Sequence, residues 1–239
     1  MENGKCCDCS QKKRKKFGCQ LQAHFSSSYY CKIFEKLIYD NLFPYICDNK
    51  FIDDRQSGYR KFDSTIKQLL NITHEIYSAF NLDHDVCAIF LDLSKAFDRV
   101  WRQGLIVKLK RIAIEGEMLG IISSFLEVRY QRVTLDGEKS DWALVEAGVP
   151  QGSILGPLFF LIYINDLFDV VNSDIRIFAD DTFIFKVITD QNSHRDLNID
   201  LQNITLWADQ WKMSFNPDIS KPAHDVTFTN KRNPRLGSP

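Results

Sequence analysis

One segment restricts the fold more than any other: Val86 to Leu93 (VCAIFLDL) is an unbroken apolar run of strand length with a carboxylate, Asp92, at its exit. Such a run predicts a buried strand. A charge at its end stands where a core would otherwise exclude it, so Asp92 needs a counter-charge, a donor or water. A second segment, Ile175 to Phe185 (IRIFADDTFIF), has two β-rich arms around Ala179, Asp180 and Asp181. It predicts a hairpin with two carboxylates at its tip.

The remaining segments are mostly helical. Ile33, Phe34, Leu37, Ile38 and Leu42 share one face of a helix that Pro44 is expected to stop. Ile66, Leu69, Leu70, Thr73, Ile76, Tyr77 and Phe80 form a second stripe, and two further helices are expected over Leu105 to Ala113 and Met118 to Leu126. Arg132 to Trp142 resembles a hairpin turning at Asp136 and Gly137; Ser153 can cap an apolar helix running to about Leu167. Leu197, Leu201, Ile204, Ala208 and Trp211 line a last helix. This order predicts an α+β domain, an antiparallel sheet covered by helices.

With 44% apolar and 26% charged residues among 239, overall disorder is excluded. The most hydrophobic stretch, Ile154 to Ile164, is interrupted by Gly156 and Pro157 and is too short to span a bilayer. No membrane partner is expected. The N-terminus has lysines in place of a secretory apolar run, so an intracellular location is expected, with nucleus and cytoplasm both open. Seven cysteines without regular spacing read as reduced thiols.

The net charge of −1 conceals an asymmetry. Six basic residues against two acidic ones give the first twenty residues +4 and leave −5 for the rest. Lys12 to Lys16 therefore reads as part of a basic, cysteine-containing flexible leader over residues 1–30, suited to nucleic acid or nuclear import, or simply a charged tail. Cys6, Cys9, Cys19 and His24 match neither a zinc knuckle nor a common finger, and no zinc site is expected. Residues 231–239 read as a frayed tail.

Adjacent carboxylates such as Asp180 and Asp181 repel each other, and alone they read as a solvated turn. Asp92 changes that reading. Three hard oxygen ligands from two strand ends suit Mg²⁺, and two such ions about 4 Å apart can activate an attacking hydroxyl and stabilise a leaving pyrophosphate. A phosphatase with Asp92 as nucleophile competes, but that chemistry wants an acid two residues later, where Ser94 stands.

Asp92 to Val100 (DLSKAFDRV), Gly148 to Pro157 (GVPQGSILGP) and Phe178 to Asp181 (FADD), in this order and at these separations, resemble the reverse transcriptase domain of non-LTR, LINE-type retrotransposons of the jockey and chicken-repeat kind. Gln56 to Thr65 (QSGYRKFDST) is similar to the fingers motif and Trp211 to Lys221 (WKMSFNPDISK) to the last palm motif. The resemblance covers about residues 31–231. It implies a right-hand polymerase with partial fingers over 31–85 and a palm over 86–230, and no thumb or endonuclease domain in this chain.

The resemblance also implies roles. Asp92, Asp180 and Asp181 match the catalytic aspartates, which with the Leu93 carbonyl would hold two Mg²⁺ ions, Mn²⁺ being a possible substitute. Phe97 matches the aromatic gate under the incoming sugar, Gln151 a contact to nucleotide and template, and Arg60 a contact to the triphosphate. Gly148 and Gly152 would let the backbone approach template or substrate, and Lys221 would protonate the leaving pyrophosphate. The implied partners are an RNA template, a DNA primer and dNTPs, with no protein partner indicated. The implied function is RNA-directed DNA polymerase, weak or silent in this chain alone. The alternative is a non-catalytic retroelement remnant that keeps the fold and binds RNA weakly through its leader.

Overall fold

The computed structural model describes residues 29–60, 63–127, 129–132, 134–135, 138–190, 192–216 and 224–229. The basic leader, the turn residues Asp136 and Gly137, Lys221 and the tail at 231–239 lie outside them. In chain order the elements are α1 (Tyr29–Asp48), β1 (Gln56–Ser57), α2 (Thr65–Asn81), β2 (Asp85–Asp92), α3 (Ala96–Arg99), α4 (Arg102–Arg111) and α5 (Gly116–Leu126). There follow β3 (Arg129–Gln131), β4 (Thr134–Leu135), β5 (Glu138–Lys139), β6 (Ala143–Val145), α6 (Leu155–Ile164), a 3₁₀ turn (Asn165–Val170), β7 (Asp174–Phe178), β8 (Asp181–Ile188), α7 (Ser193–Gln210) and β9 (His224–Phe228). No helix among the described residues is long and apolar enough to cross a membrane.

The chain divides into two compact units, each made of two separated segments. The sheet unit comprises Ile52–Ser94 and the described residues from Ile164 onward. Its five strands lie in the order β1-β7-β8-β2-β9. The expected α+β class and antiparallel centre are present, with one correction: β1 runs parallel to β7, so the sheet is mixed. Two paired residues are too few to show a period in sequence. On one face Val86, Ala88, Phe183 and Phe185 are buried together with Ala79 of α2, and Ile72 and Ile76 pack against them. α2 starts at Ser64, whose hydroxyl accepts from the Lys67 N–H at 3.2 Å, a normal N-cap. Its expected stripe is only partly buried, for Ile66, Leu69, Leu70 and Tyr77 are exposed.

The second unit comprises the described residues up to Phe51 together with Lys95–Tyr163. Its buried side chains include Leu105 and Leu109 of α4, Ile122 of α5, and Phe159 and Phe160 of α6. α6 forms where expected: the Ser153 hydroxyl accepts from the Gly156 N–H at 2.9 Å. The Lys108 ammonium donates to the Tyr163 carbonyl at the other end. The expected 132–142 hairpin is also present, with Thr134 opposite Lys139 and Leu135 opposite Glu138.

Pro44 does not stop α1, contrary to expectation: the helix runs on to Asp48. Proline removes only one helical bond, to the Asp40 carbonyl. It sits on the exposed side between the buried anchors Leu42 and Ile46, which hold the helix on either side of it. The buried stripe is also displaced, to Glu35, Ile38, Leu42 and Ile46, leaving Ile33, Phe34 and Leu37 exposed.

In the sheet unit a buried carboxylate closes the turn into β7: Asp200 of α7 accepts from the Asn172 and Ser173 N–H groups at 2.9 and 2.8 Å and is only 1% exposed. Asp200→Ala would leave two donors without their acceptor, at a cost of about 2–3 kcal/mol. Urea denaturation should show this loss, whereas Asp209→Ala on the exposed side of the same helix should change stability by less than about 0.5 kcal/mol.

Candidate active site

The carboxylates are placed by strand register. β2 and β8 pair along their whole length, from Asp85 opposite Ile188 to Asp92 opposite Asp181. Phe178 of β7 also pairs with Asp181, so Ala179 and Asp180 form a two-residue connection. The three aspartates predicted from sequence therefore lie on adjoining strand ends. Ala179 takes a left-handed conformation (φ 55°), uncommon for a residue with a Cβ. The neighbouring loop braces it: the Ala179 N–H donates to the Ser57 carbonyl at 2.9 Å. Gly58, also left-handed at φ 86°, approaches so closely that a Cβ there would lie 3.0 Å from the Ala179 nitrogen.

Burial raises the Asp180 carboxyl above its ordinary pKa; its own backbone N–H opposes the shift and the Asp92 charge adds to it. Asp181 is raised by burial, then by Asp180 and Asp92. Both shifts are upward, so ionisation opposes folding: the penalty is absent below the ordinary carboxyl pKa and complete once pH has passed the raised one. The Tyr59 hydroxyl is raised by burial and by Asp180.

Asp92 is held from its other side. The Asn216 N–H donates to its carbonyl at 2.8 Å, and the Asn216 amide lies 3.4 Å from its carboxylate. Leu93 bridges to Phe215 through bonds made by the flanking residues, Ser94 to Ser214 and Asn216 to Asp92. The Leu93 carbonyl is thus not used in that bridge. Among the described residues no three His, Cys, Asp or Glu side chains are already gathered as a ligand cage. The three carboxylates nevertheless suit a divalent cation: the donor set is all oxygen, and a cation would offset the like charges that add to burial in raising Asp180 and Asp181. Asp92 and Asp181 line a cavity of about 440 Å³ together with Phe90, Phe178, Phe183 and Leu69.

Arg60, also in the sheet unit, donates through Nη1 to the Asp53 and Gln56 carbonyls at 3.0 and 2.9 Å, while Nη2 lies 3.5 Å from Asp54. Its guanidinium folds its own loop back. Lys221 lies outside the described residues.

Phe97, Gly148, Gln151 and Gly152 belong to the other unit. Phe97 stacks on buried Phe160, with centroids 4.8 Å apart and planes at 24°. The Gln151 amide is 3.5 Å from Asp98, whose carboxyl is raised by burial against the lowering effect of Lys95 and Arg129. Gly148 (φ 85°) makes its close approach to protein: a Cβ would lie 2.8 Å from the Asp98 Cα and carbonyl oxygen. Its N–H donates to Val100, and the Val149 N–H to Phe97, at 2.8 and 2.9 Å. Gly152 is exposed and left-handed at φ 83°. Two arginines hold the run into this loop: Arg102 donates to the Val145, Ala147 and Gly148 carbonyls and Arg129 to Gly148.

Sequence reasoning missed Tyr59 and Asn216 as supports of the carboxylates in the sheet unit, and Arg102 and Arg129 as supports of the Gly148 loop in the other unit. Tyr59 and Asn216 lie inside motifs already singled out and adjoin Asp180 and Asp92. Nothing local marks Arg102 and Arg129, because their partners are backbone carbonyls distant in sequence.

The family model for reverse transcriptase (RNA-dependent DNA polymerase) matches residues 23–228. The chain belongs to that family, and its LINE-type, non-LTR character agrees with the motif resemblance. It is 33% identical over 212 residues to the RNA-directed DNA polymerase from mobile element jockey of Drosophila melanogaster, covering 84% of this chain and 22% of that protein. With the corresponding jockey polymerase of Drosophila funebris it shares 32% over 208 residues, covering 83% and 22%. It thus spans about a fifth of the length of the curated relatives it matches. The solved telomerase from Candida tropicalis, in complex with a TWJ fragment of telomeric RNA, shares the fold: TM-score 0.59 at 12% identity, covering 85% of this chain and 35% of that one. Members of the family generally use divalent metal ions and bind nucleic-acid template and primer.

Removing one of the three like charges should relieve the fold when no divalent ion is present. Asp180→Asn in chelator at pH 7 should therefore melt at or above the wild-type temperature, and addition of Mg²⁺ should narrow the gap. A variant that melts several degrees lower would show that Asp180 supports the fold through something other than charge.

Proposed function

We propose that this chain is the polymerising domain of a retrotransposon reverse transcriptase, joining a dNTP to a primer 3′-OH on an RNA template. Residues 31–85 would serve as partial fingers and 86–230 as palm. The observation that carries this reading is the pairing of Asp92 with Asp181, with Asp180 in the adjoining turn and both tip carboxyls raised by burial and like charge.

Asp92, Asp180 and Asp181, with the Leu93 carbonyl, would hold two Mg²⁺ ions, or Mn²⁺ in their place. When bound, the ions lower the pKa of the attacking hydroxyl and offset charge on the departing pyrophosphate. The residues of the chain do the rest by positioning, which dominates phosphoryl transfer. Asn216 fixes the Asp92 end of β2. Phe97, with one face on Phe160, would lie under the incoming sugar, where a ring leaves room for hydrogen at C2′ and rejects a hydroxyl by overlap. Gln151 would contact nucleotide and template, beside Gly152. Arg60 would reach the triphosphate by releasing the Asp53 and Gln56 carbonyls, and Lys221 would protonate the pyrophosphate.

Primer extension on homopolymer RNA with Mg²⁺, at excess protein so that slow turnover is visible, tests the reading. Extension is expected to be weak in this chain and to fall by about 100-fold or more, about 2.7 kcal/mol, in Asp180→Asn. Extension that survives unchanged in Asp180→Asn, or none at all by the wild type, would overturn it.

The same assay tests Phe97 by competition between matched ribo- and deoxynucleotides. Phe97→Ala should raise ribonucleotide incorporation relative to deoxynucleotide. Unchanged selectivity with a stability loss of about 3–5 kcal/mol would make Phe97 a packing residue only.

A further inference from the structure

Glu35 is a buried carboxylate for which the proposed chemistry has no use. It lies in the inward stripe of α1 with Ile38, Leu42 and Ile46, at a position where the helical period calls for an apolar side chain, and is 2% exposed. A charge so enclosed is tolerated only against a strong partner. That partner is the Ile154 N–H, which donates to Glu35 Oε2 at 2.6 Å across 119 positions of sequence. Ile154 directly precedes α6 and lies three residues after Gln151. The N–H groups that open a helix have no partner within it and attract negative charge. Ser153 satisfies the Gly156 N–H, and Glu35 satisfies the Ile154 N–H.

The opposite end of the same loop is also held by charge, through Arg102 and Arg129 on the 145–148 carbonyls. Gln151 and Gly152 therefore lie between two guanidinium clamps and one carboxylate clamp. The arginines restrain the entry to the loop, and Glu35 restrains its exit from another helix.

We propose that Glu35 is a positioning residue for the nucleotide-contacting loop: from α1 it fixes the start of α6 and so sets where Gln151 meets the incoming dNTP. The step to dNTP affinity rests on the proposed function; the clamp itself does not. Loss of the clamp should weaken nucleotide capture and leave the carboxylate chemistry of the sheet unit unaffected, so it should appear in KM for dNTP and scarcely in kcat. Glu35→Gln keeps an acceptor oxygen for Ile154 and should behave nearly as wild type, whereas Glu35→Ala removes it.

The test has two arms on the full chain. In hydrogen–deuterium exchange, Glu35→Ala should speed exchange of amides 148–156 by at least about tenfold while β2 and β8 keep their protection, and Glu35→Gln should restore the loop. Unchanged loop exchange in Glu35→Ala, or a loss spread over the whole chain, would overturn the clamp. In primer extension, Glu35→Ala should raise KM for dNTP about tenfold with kcat within about twofold, and Glu35→Gln should reverse the rise. A fall in kcat at constant KM would overturn the positioning role. Absence of wild-type extension would count against the proposed function alone and leave the exchange arm to decide the clamp.

Discussion

The structure around the carboxylates depends on one ladder, the antiparallel pairing of β2 with β8. Asp92 and Asp181 do not attract each other; they are neighbours because Val86 sits opposite Val187, Ala88 opposite Phe185 and Phe90 opposite Phe183. The Phe90 and Phe183 rings lie 4.7 Å apart, a cross-strand contact that favours this register. A slip of one residue would turn every side chain of one strand to the other face. Val86 and Ala88 would then leave the cluster under α2, and Asp92 would lose its place beside Asp181. Apolar packing thus supplies the free energy that keeps mutually repelling charges together.

The loop from Val145 to Ile154 rests on the converse arrangement. Its backbone, with Gly148 pressed against the Phe97–Asp98 segment, is held chiefly by charged side chains acting on peptide groups. Hydrogen bonds to charged groups are stronger than neutral ones; Glu35 is buried and Arg102 half-buried. Burial lowers the Arg102 pKa from its usual value, yet guanidinium remains ionised in proteins.

Much of this was legible from sequence wherever a residue pattern had a local cause. VCAIFLDL and IRIFADDTFIF gave a strand and a hairpin, because side-chain period and turn chemistry are local. The aspartates followed from these and from the motif series. Two features of α1 have no local cause: buried anchors on either side of Pro44 carry the helix past it, and the buried stripe passes through Glu35, so that of the five apolar residues in the pattern Ile38 and Leu42 are buried while Ile33, Phe34 and Leu37 are exposed. β9 (His224–Phe228, HDVTF) is too short a run to show a strand period, and it is ordered by pairing with β2, a segment far back in the sequence. The clamps on Gly148 and Ile154 have no sequence signal at all, since each joins a side chain to a backbone group far along the chain.

The interleaving of the two units carries a consequence for synthesis. The chain passes from one unit to the other after Phe51, Ser94 and Tyr163, so neither unit is a continuous piece of sequence. As the protein leaves the ribosome, β2 emerges early but its partner Asp181–Ile188 follows only after all of Lys95–Tyr163. Until then β2 is an apolar strand with open edges, the kind of surface that aggregates or recruits chaperones. The long separation between partners also gives the sheet a high contact order and predisposes it to slow closure. The order of translation thus makes the α4–α5 region available for folding before the carboxylate-bearing sheet exists.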